Sequence, residues 1–164
     1  MLAFWRIRLV NKEMSNPQIL VDFTTNKTLE NEAERLGIPL WFCWHKTSFT
    51  KPRKNGGYII NLSDDGQMGT HWVSLWKQRD QYAYFDPFGF PPPEEVERLI
   101  PKYYYNESVI QDPADGGCGA YGIEFLQWMN ESSGSVRKKF QEFLNTWKPN
   151  FKKNRKLLAR RAQD

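Results

Sequence analysis

The chain has 164 residues, of which 40% are hydrophobic and 15% aromatic, including seven tryptophans; that is enough for one domain with a real core and too aromatic for a disordered chain. No apolar run approaches the ~20 residues of a membrane helix, and Arg6 and Arg8 break the apolar start where a secretory signal would be continuous. The net charge of +4 is unevenly placed. Seven basic residues (Lys148, Lys152, Lys153, Arg155, Lys156, Arg160, Arg161) stand against Asp164 at the C-terminal end; removing them from 23 basic and 19 acidic residues leaves 16 against 18. The basicity belongs to the end of the chain, and residues 1–148 are expected to form one domain with 149–164 as a basic tail. Such a tail suits a polyanion such as DNA, through Lys152, Lys153, Arg155, Lys156, Arg160 and Arg161; the alternative is a solvated, frayed terminus.

In chain order, Ile19 to Phe23 reads as a short strand. Thr28 is a candidate N-cap for a helix from Leu29 to Leu36, with Glu30, Glu32 and Glu34 near its positive end and Gly37 as its stop. Ile38 to Trp44 is strongly apolar and expected to be buried. Lys51 to Gly57 is a polar loop, Tyr58 to Leu62 a core strand, and Asp64-Asp65-Gly66 a turn and not a metal site. Thr70 to Trp76 and Gln81 to Asp86 form a hairpin. Placing Lys77 opposite Asp80 sets Leu75 against Tyr82, Val73 against Tyr84 and His71 against Asp86, close enough for imidazole and carboxylate to bond. Pro87 ends the second strand. A short helix is expected from Glu94 to Ile100, an aromatic patch at Tyr103 to Tyr105 and a short strand at Ser108 to Ile110. Ala120 to Asn130 reads as a helix, Asn130 to Gly134 as a break, and Val136 to Trp147 as an amphipathic helix with Phe140, Phe143, Leu144 and Trp147 on one face.

The chemistry concentrates at Gln111 to Gly122. Turn formers from Asp112 to Gly117 deliver Cys118 to the first turn of a helix, where unpaired N–H groups and the helix dipole favour thiolate over thiol. The flanking glycines allow close backbone approach. A cysteine that merely packs in the core is the alternative. His71 can take the thiol's proton and return it to a leaving amine, Asp86 can orient the imidazole, and Gln111 can join the Cys118 N–H at an oxyanion. Cys43 lies in an apolar run and is expected as core. With His45 it forms no zinc spacing, and no metal is expected. Both cysteines are read as free thiols, and the Asn-x-Ser/Thr triplets at Asn26, Asn61, Asn106 and Asn130 carry no glycosylation message in a chain without a secretory signal.

Thr70-His71-Trp72, then Tyr84-Phe85-Asp86-Pro87-Phe88-Gly89, then Gln111 and Cys118-Gly119, resemble the adenain family of adenovirus maturation proteases. That family sits in the papain-like superfamily with the SUMO-deconjugating proteases. The similarity runs from about Leu29 to Met129, and the order His, acid, Gln, Cys is the family's order. It is closest to the capsid-maturation proteases of virophages, Maverick/Polinton elements and large DNA viruses. The resemblance implies an α+β fold of the papain-like, adenain-like kind, with the helix carrying the nucleophile packed on a small mixed β-sheet. It also implies Cys118 as nucleophile, His71 as base, Asp86 as orienter and Gln111 in the oxyanion hole. Trp72, Gly117 and Gly119 would lie against substrate, with Trp72 packed beside the histidine. Implied substrates are viral capsid or core precursors cut after Gly-Gly. The adenoviral enzyme has glutamate where this chain has Asp86; aspartate occurs in the SUMO-protease branch. Its disulfide-linked activating peptide finds no matching cysteine here, so no cofactor is required, and DNA remains the candidate stimulant.

These features make a cysteine endopeptidase of virion maturation the leading expectation: a monomer, off the membrane, in the virion and host-cell interior and not secreted. A deconjugase acting on ubiquitin or a ubiquitin-like protein shares the same catalytic set, as does an acyltransferase. A nucleic-acid-binding structural protein would use the basic tail and exposed aromatics, and would leave Cys118, His71, Asp86 and Gln111 unexplained.

Overall fold

The computed structural model describes residues 26–43, 45–62 and 71–161. The expected strand at 19–23, the turn at 64–66 and Thr70 lie outside the described residues. Helix α1 (Asn26–Leu36) leads to strand β1 (Leu40–Cys43), and a 3-10 turn (Lys46–Ser48) to β2 (Gly56–Asn61). Then come β3 (Trp72–Gln78), β4 (Gln81–Phe85), the short α2 (Glu94–Glu97) and β5 (Tyr103–Tyr105). Helices α3 (Cys118–Glu131), α4 (Val136–Asn145) and α5 (Phe151–Arg161) follow. The fold is α+β.

Apolar, aromatic and β-branched runs supply the strands of one sheet in the order β1-β2-β3-β4-β5. β1 pairs parallel with β2, β2 and β3 are antiparallel, as are β3 and β4, and β5 returns parallel to β4 through α2. Side chains alternate across β3, so both faces are used. Trp72 and Trp76 join Phe85, α1, α3, α4 and α5 in one core, while Val73 and Leu75 join Tyr82, Tyr84, Phe49, Val96 and Ile100 in another. The sheet therefore has a layer on each side, the larger made by α3 and α4.

Phe125 of α3 anchors that layer. Its ring meets Phe85 at 5.1 Å, Phe140 at 5.4 Å and Phe143 at 5.5 Å, and truncating such a ring costs about 3–5 kcal/mol. Helix α3 can approach β3 because residue 122 is glycine: a Cβ there would stand 2.3 Å from Ser74 Oγ.

Several expected boundaries move. α1 starts at Asn26, so Thr28 lies inside its first turn and not at its cap. Among the described residues β1 is the outermost strand, and all four of its residues are half-buried; Cys43 packs against the second core from its margin, and its thiol donates to the His45 carbonyl at 2.9 Å. Tyr103–Tyr105 forms a strand, and Ser108 to Ile110 does not. α2 stops at Glu97, short of Ile100.

The hairpin register also differs by two residues. Gln78 pairs with Gln81, and Leu75 with Tyr84, so the loop is Arg79-Asp80. The loop keeps two residues but moves from Gln78-Arg79 to Arg79-Asp80, which puts the positive φ (57°) of Arg79 at its first position. Asn55 Oδ1 pins the turn by accepting from the Arg79 N–H at 2.9 Å and the Lys77 ammonium at 3.3 Å. A slip of two keeps every side chain on its face.

The segment expected as a tail from residue 149 contains a docked helix. Asn150 caps α5 by accepting from the Lys153 N–H at 2.9 Å, and Asn154 and Leu158 are buried at 1% exposure. Basic residues hid a helix whose inner face is short but specific.

Candidate active site

Three element ends converge. His71 immediately precedes β3, Asp86 immediately follows β4, and Cys118 is the first residue of α3. Because α3 crosses the face of β3, the thiol lies at the start of that strand, where it accepts from the Trp72 backbone N–H at 3.4 Å. One strand start thus presents both the imidazole and an N–H to the sulfur. Cys118 is 3% exposed.

His71 Nε2 and Asp86 Oδ1 lie 2.9 Å apart. The two are not directly opposed as the expected register had them, but the two-residue slip keeps them within reach. Asp86 is itself held: Oδ1 accepts from the Phe88 N–H at 2.8 Å, and its own N–H donates to Asn106 Oδ1 at 3.1 Å. Asn106 Nδ2 in turn donates to the Asp86 carbonyl. The Phe88 ring lies flat on the imidazole, with centroids 4.3 Å apart and planes 6° apart. The ring is fixed from its edge by Asp86 and from its face by Phe88.

With Nε2 committed to Asp86, buried Nδ1 is the nitrogen left to exchange a proton with Cys118. Nδ1 closes no hydrogen bond of ordinary geometry, yet the thiol is near enough to act on the imidazole. Such contacts commonly tighten only when substrate binds. Burial, the largest influence, pulls the imidazole pKa down; the hydrogen bond and charge of Asp86, together with the nearby Cys118 sulfur, push it up more, from 6.5 to about 9. At neutral pH His71 is therefore imidazolium beside the cysteine, the cation that a nucleophilic thiolate needs.

Gln111 is fully buried, and Pro87 ties it to the same end of the sheet: the Pro87 carbonyl accepts from the Ile110 N–H at 2.9 Å and the Gln111 N–H at 3.0 Å. Its side-chain amide donates to the Asp115 carbonyl at 2.6 Å. One of its two Nε2 hydrogens is thus engaged with the loop. Asp115 Oδ1 accepts from the Gly117 N–H at 3.0 Å, which orients the Gly116–Gly117 peptide, one before the peptide that carries the Cys118 N–H.

Not every expected site residue faces the site. The Trp72 ring is 4% exposed in the core, so Trp72 reaches the sulfur through its backbone and offers no side chain to a substrate. Gly117 and Gly119 are buried in the first turn of α3. Of the six basic residues assigned to a polyanion, Lys152, Lys153, Lys156 and Arg160 are exposed, whereas Arg155 pairs with Asp115 and Arg161 with Glu124 at 3.5 Å. Arg161 also lies over the Trp147 ring at 5.1 Å. Sequence reasoning missed the bracing roles of Asn106, Phe88, Asp115 and Arg155. Phe88 had a signal, its place two residues after Asp86; the others meet their partners only in the fold. Among the described residues no group of three or more His, Cys, Asp or Glu is placed to hold a metal.

No protein-family model matches the chain, and no curated protein does. Among solved structures it is similar to the ASFV pS273R protease, with a TM-score of 0.51 and 13% identity over 86% of this chain. The match covers 65% of that protein's chain, just under two thirds. At this identity the likeness establishes a shared fold.

Proposed function

We propose that this chain is a cysteine endopeptidase that processes viral capsid or core precursors during virion maturation, in the virion and the host-cell interior. The observation that carries the proposal is the meeting of His71, hydrogen-bonded to Asp86 at 2.9 Å, with Cys118 at the start of α3. The fold shared with a protease supports it.

In the proposed reaction the Cys118 thiolate attacks the scissile carbonyl carbon, and the carbonyl π electrons move to oxygen. The oxyanion is met by the Cys118 N–H, at the N-terminus of α3, and by the side-chain amide of Gln111. His71 Nδ1–H gives its proton to the departing amine as the C–N bond breaks, leaving a thioester and a neutral imidazole. That imidazole takes a proton from water, hydroxide oxygen attacks the thioester, and the thiolate leaves as the acid product forms. Asp86 keeps Nε2 protonated and the ring aimed throughout.

Cleavage after Gly-Gly follows from the sequence resemblance; a narrow cleft would account for it, since glycine lacks a Cβ. The substrates would be capsid or core polypeptides met by a monomer. DNA, bound by Lys152, Lys153, Lys156 and Arg160, would stimulate the enzyme without being part of its chemistry. The test is cleavage of a capsid-precursor peptide containing Gly-Gly by wild type and Cys118→Ala, with and without DNA. Cleavage by wild type alone is expected. Equal cleavage by both, or release of a ubiquitin-like protein with no cleavage of the capsid peptide under either condition, would overturn the assignment.

A further inference from the structure

We infer that Arg155 is a positioning residue for the Cys118 loop, acting through Asp115, so that helix α5 is part of the apparatus that shapes the oxyanion site. The inference rests on the acyl-transfer reading of Cys118 and Gln111. Every polar group of Asp115 is engaged. Its N–H donates to the Asp112 carbonyl at 2.8 Å, its carbonyl accepts from Gln111 Nε2 and its Oδ1 accepts from the Gly117 N–H. Oδ2 pairs with the Arg155 guanidinium, with the carboxylate side chain only 13% exposed. The orientation of that one carboxylate therefore holds the Gly116–Gly117 peptide, adjacent to the one that carries the Cys118 N–H, and the carbonyl of the same residue holds the Gln111 amide.

A second bond from the same helix holds the other end of the loop: buried Asn154 Nδ2 donates to the Ile110 carbonyl at 2.9 Å, next to Gln111. Asn154 is locked in turn by Lys148, whose N–H donates to Oδ1 at 2.8 Å and whose carbonyl accepts from Nδ2 at 2.7 Å. Residues 110 to 117 are thus gripped at both ends by consecutive residues of a helix some 40 positions downstream in sequence. The guanidinium has a structural task that a surface cation awaiting a polyanion does not have.

The test uses the full chain with Arg155→Ala, Arg155→Lys, Asp115→Asn and the double variant Asp115→Asn/Arg155→Ala. Arg155→Ala is expected to lower kcat on the Gly-Gly peptide about tenfold and to change KM less than about twofold, because the loss falls on oxyanion stabilisation. Alkylation of Cys118 by iodoacetamide should stay within about twofold of wild type, since displacement of iodide forms no oxyanion. Amide exchange should quicken across residues 111–118 and not in β3 or β4. Arg155→Lys should recover part of kcat, and Arg155→Ala should add little in the Asp115→Asn background. Unchanged kcat, unchanged exchange across 111–118, or additive effects in the double variant would overturn the inference. If Arg155→Ala loosens β3 and β4 as well, Arg155→Lys and Asp115→Asn decide it by the same readouts. A wild type that cleaves no peptide sinks the protease assignment, while the exchange contrast still decides whether Arg155 holds the loop.

Discussion

At His71 the pull of burial is outweighed by Asp86 and Cys118, and that balance sets the pH window of the site. Protonated His71 supplies the proton for the departing amine, so kcat/KM should fall as pH rises through about 9. The stability effect has the same sign. The folded value lies above the unfolded 6.5, so the contribution of imidazolium is complete below about 6.5 and is lost as pH rises through about 9. Asp86→Asn removes the negative charge and weakens the bond that holds the ring. Its alkaline limb should move to lower pH, and kcat should drop by on the order of 10²–10⁴. A pH–rate profile for the two proteins checks both; an unmoved limb would show that Asp86 does not govern the imidazole. Phe88 and Asn106 act one step further out, one on the face of the imidazole and the other on the backbone of Asp86.

Among the elements, the closeness of α3 to β3 is what brings a helix start and a strand start together. Gly122 makes that approach possible. Gly122→Ala would set a methyl group against Ser74 Oγ and push α3 outward, costing about 1–3 kcal/mol. Ser74→Ala should relieve much of that, because the Ser74 Cβ would lie 3.6 Å from the new methyl, an ordinary contact. Thermal denaturation of the single and double variants measures the relief; a double variant no more stable than Gly122→Ala would place the strain elsewhere. The hairpin shows how far pattern reaches among the elements. Alternation assigned His71 and Asp86 to one face, but the register was decided by the Arg79-Asp80 turn and by Asn55, neither of which alternation contains.

For the whole molecule, charge is distributed over a docked helix and not a free tail, and this narrows the polyanion proposal to four exposed cations, Lys152, Lys153, Lys156 and Arg160. Replacing these four by serine should abolish stimulation by DNA and flatten the dependence of DNA affinity on salt, by about 0.7–0.9 in logarithmic slope for each phosphate no longer neutralised. Titrations at two salt concentrations measure this, and stimulation that survives the replacement would move the DNA site elsewhere.

The features legible before folding were local or carried by a short motif. A thiol after a glycine-rich turn, an apolar stripe at helical spacing, alternation in β3 and β4, and the order His71, Asp86, Gln111, Cys118 are all properties of the chain read along its length. They were enough to name the elements whose ends bring His71, Asp86 and Cys118 together. The rest came from the closed fold. The hairpin register, the parallel pairing of β1 with β2, the docking of α5 and the bond from Arg155 to Asp115 depend on groups far apart in the chain. Their partners are selected by packing and by the need to pair buried polar atoms, and those forces leave no period or motif to be read before the chain has closed on itself.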